Sequence, residues 1–92
     1  MPRLSALLTR NGPHIRGLVV SKSGPLDVRD VAAIQRRAKA VDTSTYGSVS
    51  VSPDADDGIQ YFRVSTDQHI DVGTFKRMVR EIFASYVEFT VR

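Results

Sequence analysis

The side chains that could do chemistry are few, and their spacing argues against most of it. His14 and His69 stand 55 positions apart, and only His69 has carboxylates close by, Asp67 and Asp71. Zinc sites draw on more ligands at recurring spacings, so the pair is a poor metal candidate. Asp71 reads instead as a helix cap and His69 as a loop residue before it. Asp54, Asp56, Asp57 and Gly58 imitate the start of a calcium loop, but the glycine comes one residue early and the twelfth position is Ser65, where a bidentate glutamate is needed. The cluster reads as a polar turn that would hold a divalent cation only weakly. Gly17 and Lys22-Ser23 match the ends of a phosphate loop without its second glycine. The stretch between them is strand-like, so backbone amides cannot wrap a phosphate there.

No glycine-framed turn sets a serine beside a base, which argues against hydrolase chemistry. The cysteine count is zero, removing thiolate nucleophiles, disulfides and sulfur metal ligands together. No catalytic, cofactor-binding or metal-ligating residue is assigned, and the chain reads as a non-enzyme. Its 92 residues, 41% hydrophobic and 25% charged, suit one small globular domain. A chain of this length buries only about 60–65% of the surface its unfolded form exposes, too little for a cleft between two domains. No apolar run approaches the roughly 18 residues of a membrane span. Arg3 and Arg10 bracket Leu4, Leu7 and Leu8 without the continuous apolar stretch of a secretory signal. The expectation is a cytoplasmic or other intracellular setting, a virion included, with no membrane partner.

The net charge of +3 is small, but its layout is uneven. Residues 1–41 carry eight basic side chains against Asp27 and Asp30; residues 42–71 carry six aspartates against Arg63; residues 72–92 carry four basic side chains against two glutamates. The three blocks therefore hold +6, −5 and +2, and the molecule is dipolar if they stay apart in space.

The elements that must position these residues follow from periodicity. Pro2 could open a turn or two of helix that Asn11-Gly12-Pro13 ends, so residues 1–14 read as an N-terminal arm. Residues 15–21 are rich in strand formers. Asp27 caps a first helix in which Val28, Val31, Ile34, Ala38 and Val41 recur near helical spacing. Residues 45–52 alternate, Val49 and Val51 against Ser48, Ser50 and Ser52, and Pro53 should end that strand. After an Asp/Gly turn, residues 59–65 give a strand, paired with its predecessor as a hairpin, that puts Phe62 and Val64 inward and Tyr61 and Arg63 outward or, in the reverse parity, buries Ile59 and Tyr61. Asp71 caps a second helix with an apolar stripe of Phe75, Met78, Val79, Ile82, Phe83 and Tyr86. Val87, Phe89 and Val91 alternate in a terminal strand.

Strand, helix, strand, strand, helix, strand is the order of an α+β, ferredoxin-like βαββαβ sandwich over residues 15–92: four antiparallel strands with two helices on one face. The first and third strands belong in the centre, the Ser-rich second strand and the terminal strand at the edges. The segment Asp57-Gly58-Ile59-Gln60-Tyr61-Phe62-Arg63-Val64 resembles the third-strand motif of RNA-recognition modules at Gly58 and Tyr61. Asp57 replaces a basic residue, and Ile59 and Val64 stand where that family has aromatics. The resemblance implies the same element order and bases stacked on the sheet, an analogy of fold only.

The favoured function is a small assembly or protein-interaction subunit, of the kind a phage-type accessory protein would be. It would bind a protein partner or a copy of itself through Leu4, Leu7 and Leu8 of the arm and Val87, Phe89 and Val91 of an unblunted sheet edge. The alternative is nucleic-acid binding by basic helix faces, Arg29, Arg36, Arg37, Lys39, Lys76, Arg77 and Arg80, extended by Arg3, Arg10 and Arg16, or by the sheet through Tyr61 and Arg63. A small-molecule sensor or minor enzyme, holding its ligand at a subunit interface, is the remaining reading.

Overall fold

The computed structural model describes residues 3–41 and 46–92. Seven elements follow one another: β1 (Leu4–Asn11), β2 (His14–Ser21), α1 (Val28–Val41), β3 (Val49–Asp56), β4 (Ile59–Thr66), α2 (Val72–Phe83) and β5 (Val87–Val91). They form a mixed α+β fold with one five-stranded sheet, in the order β3-β4-β2-β1-β5.

The segment expected to be a partly helical arm is a strand. Leu4, Ala6 and Leu8 alternate into the core, and β1 pairs antiparallel with β2 and parallel with β5. Leu4, Leu7 and Leu8 also fit helical spacing, so the local pattern is ambiguous and the long-range pairing decides it. The β1–β2 loop is Gly12-Pro13, with Gly12 at φ +65° in the left-handed position that tight II′-type hairpins give to glycine. The four expected strands keep their relative order, with the Ser-rich strand and the terminal strand at the edges. Insertion of β1 between β2 and β5 makes the sheet five-stranded and gives it a parallel pair, in place of the four-stranded antiparallel sheet.

Two elements also differ in extent, β3 and α2, and the expected start of the former at Thr45 lies outside the described residues. β3 begins at Val49 and runs through Pro53 to Asp56, because an edge strand tolerates a residue without an N–H where a central one does not. α2 ends at Phe83, where Ala84 turns left-handed at φ 50° and its N–H bonds the Arg80 carbonyl; Tyr86 lies beyond the helix, exposed. Val28 is exposed at the start of α1, leaving Ile34 and Ala38 as the buried contacts of that helix. Asp27 and Asp71 cap their helices as expected, accepting from the N–H groups of Asp30 and Thr74 at 2.9 and 2.7 Å. The loop of the second hairpin is Asp57-Gly58, both at positive φ, as an I′-type turn requires.

The core lies between the sheet and the two helices. Leu8, Val19, Phe62 and Val64 from the sheet meet Phe75, Met78, Val79 and Ile82 of α2, all under 2% exposed. Tyr46, just ahead of β3, closes one end, and Phe62 and Phe83 meet edge-to-face at 5.3 Å. Among the described residues no helix is long and apolar enough to cross a membrane.

Candidate functional site

With both helices on one face, the other face of the sheet is open, and strand register arranges its side chains in three rows. One runs Asp54, Tyr61, Val20, Ser5 and Glu88; the next Ser52, Arg63, Leu18, Leu7 and Thr90; the third Ser50, Ser65, Arg16 and Thr9. Leu18 lies opposite Arg63 and Arg16 opposite Ser65, so the two arginines are diagonal neighbours on adjacent central strands. Around them is an open depression of about 640 Å³, floored by Leu7 and Leu18 and walled by Arg16, Arg63, His14 and the hydroxyls of Thr9, Ser50, Ser52 and Ser65. Asp54 stands at its edge: it accepts from the Tyr61 hydroxyl at 3.2 Å and lies 4.0 Å from the Arg63 guanidinium. That ion pair is mostly solvated and holds Arg63 only loosely. The Arg63 guanidinium is 5.8 Å from the Tyr61 ring centroid, a cation–π contact on the same face.

The sheet has two outer edges of opposite character. β3 carries Pro53 and the acidic residues Asp54 and Asp56, features that discourage strand addition. β5 carries neither proline nor lysine. Arg92 donates its N–H to the Leu8 carbonyl at 2.8 Å, and its own carbonyl accepts from the Arg10 N–H. Main-chain groups alternate in direction along a strand, so those of Glu88 and Thr90 also face β1, while Phe89 and Val91 direct theirs away from the sheet.

The residues expected to bind a partner divide between core and surface. Leu4, Leu8 and Val87 are buried, and Leu7 lies half-buried on the open face. Phe89 is half-buried beneath Lys76 and Arg80, whose charges stand 5.6 and 5.0 Å from its ring centroid. Val91 is 44% exposed.

The basic residues divide as well. Arg29, Arg36 and Lys39 on α1 and Arg77 on α2 are exposed, in the helical layer on the far side from Arg16 and Arg63. Arg37 turns inward between the helices: its Nε donates to the Ile82 carbonyl at 2.6 Å and its terminal nitrogen to that of Phe83 at 3.2 Å. Those carbonyls end α2 and have no partner within the helix, so Arg37 caps it and places positive charge at its negative pole.

Tertiary structure also joins residues that sequence distance separated. His14 and His69 meet edge-on with ring centroids 4.7 Å apart, and among the described residues no third ligand joins them to form a metal-binding group. Arg16, named only as an extension of the helical basic surface, shares the sheet face with Arg63. Their common face could have been found from strand parity once β2 and β4 were taken as neighbours.

No family model matches the chain, and no curated protein matches it. Among solved structures it is similar to SMU.848 from Streptococcus mutans, at 13% identity over 98% of this chain and 96% of that one, with a TM-score of 0.47, a likeness too distant to bear on function.

Proposed function

We propose that the chain is a non-catalytic interaction subunit that takes up a strand from a protein partner along the outer edge of β5. The observation that carries this reading is the contrast between the two edges. β3 is blunted by Pro53, Asp54 and Asp56, whereas β5 leaves the main-chain groups of Phe89 and Val91 free of such protection. The arm drops out of the reading, because Leu4 and Leu8 fill the chain's own core. Val91→Pro tests it: proline removes one outward N–H and leaves the bonds to β1 in place. A native partner recovered with the wild-type chain should be lost with Val91→Pro and kept with Asp54→Ala on the opposite edge. Equal recovery by Val91→Pro, at unchanged melting temperature, refutes it.

The diagonal pair Arg16 and Arg63 on a hydroxyl-lined face favours a second reading, single-stranded nucleic acid bound on the open sheet. Phosphate contacts predict affinity that falls steeply with salt and weakens in Arg16→Ala and Arg63→Ala, but not in Arg36→Ala. Absence of binding at low salt refutes it.

A further inference from the structure

The β5 edge is self-complementary in one register. This inference rests on the strand-addition reading above and goes further by naming the occupant: we infer that a second copy of this chain pairs antiparallel with β5 about a two-fold axis through Thr90, joining two five-stranded sheets into one of ten strands.

Direction comes first. The outward main-chain groups belong to Phe89 and Val91, as the inward bonds of Arg92 require. An antiparallel partner copy must therefore set odd-numbered residues opposite odd-numbered ones, and allowed registers differ by steps of two. Centring on Thr90 places Phe89 opposite Val91 of the second copy as the hydrogen-bonded pair, repeated by symmetry. Thr90 then faces its own counterpart, and Glu88 faces Arg92 on both sides of the axis.

Side-chain chemistry selects among the registers. Glu88, Thr90 and Arg92 point to the open face, and in this register their pairs are the non-hydrogen-bonded ones, whose side chains approach most closely. Centring on Phe89 would set Glu88 opposite Thr90 and Arg92 opposite Tyr86. Centring on Val91 would set Arg92 opposite Thr90. Only the Thr90 register cancels both charges. On the helix face it lays the Phe89 ring of one copy against Val91 of the other, an aromatic and β-branched pair that covers a residue now 44% exposed.

Lys76 and Arg80, seated over Phe89, bring like charges near the same axis and oppose the pairing. With only five residues in β5, the dimer is weak and concentration-dependent.

The sequence contains no cysteine, so an introduced one reports cleanly. Thr90→Cys should form an intermolecular disulfide under mild oxidation, because a non-hydrogen-bonded pair on the axis meets the Cα separation a disulfide needs. Glu88→Cys should not. Glu88→Arg alone and Arg92→Glu alone should each weaken self-association about tenfold, from two like-charge pairs. Mixed together, the two variants should associate at least as well as wild type, since every cross-strand pair is then opposite in sign. A wild-type chain that stays monomeric in sedimentation up to about 1 mM overturns self-pairing. So does Glu88→Cys cross-linking as readily as Thr90→Cys, and so does an open-ended, salt-sensitive polymer, the product of β5 adding to the acidic β3 edge. The broader reading fails separately, by a native partner that still binds Val91→Pro.

Discussion

The backbone of β2 at Gly17 lies directly against the ring of Phe75: a Cβ at position 17 would sit 2.9 Å from Cε1 of Phe75 and 3.3 Å from Cδ2 of Leu8. The glycine that looked like the first residue of a phosphate loop is there to let α2 close onto the sheet. Gly17→Ala should destabilise the fold by about 1–3 kcal/mol through overpacking, read as a lower urea midpoint at unchanged slope. A neutral result would mean that Phe75 has room to move.

Gly47 holds a second close approach. At φ +74° it occupies a conformation that costs other residues, and a Cβ there would collide with the Gln68 side chain. Around it Asp67 and Ser48 bond reciprocally, the Ser48 N–H to the Asp67 carboxylate at 2.9 Å and the Asp67 N–H to the Ser48 carbonyl at 3.1 Å. Gly47→Ala should cost at least about 1–2 kcal/mol from the backbone alone, measurable by thermal melting.

Arg37 and Arg36 are sequence neighbours with different duties. Arg37→Ala should lose about 1.5–3 kcal/mol, the scale of a hydrogen bond to a charged group, while Arg36→Ala on the wet side of α1 should change stability by less than about 0.5 kcal/mol. Equal effects in chemical denaturation would contradict the cap.

Stability should fall at both ends of the pH scale for identifiable reasons. The Asp71 carboxyl is held below its usual 3.8 by hydrogen bonds from the side chain and N–H of Thr74. Its contribution is present above pH 3.8 and is lost as pH falls through the lower folded value. Asp71→Asn keeps a cap acceptor but no titration, so part of the acid-side loss should disappear. The Tyr46 phenol is raised above 10.0, by burial first and then by its hydrogen bond to the Glu81 carboxylate. The neutral phenol favours the fold, fully below pH 10 and less as pH rises through the folded value; Tyr46→Phe should flatten that alkaline limb. Melting temperatures across pH, compared between each variant and wild type, check both.

Local sequence determined a good deal. The stripe from Phe75 to Phe83, the caps at Asp27 and Asp71 and the Asp57-Gly58 turn are each set by residues within a turn or a strand of one another. Such neighbours interact whatever the rest of the chain does. β1 was not legible in that way, since Leu4, Leu7 and Leu8 satisfy a helix and Leu4, Ala6 and Leu8 satisfy a strand; pairing with β2 and β5 removed the ambiguity. Tertiary structure alone joined Arg16 to Arg63, His14 to His69 and Arg37 to the end of α2. It alone turned the main-chain groups of Phe89 and Val91 outward. Each of these relations spans strands or layers whose order depends on the summed burial of the whole core, a quantity no local window contains.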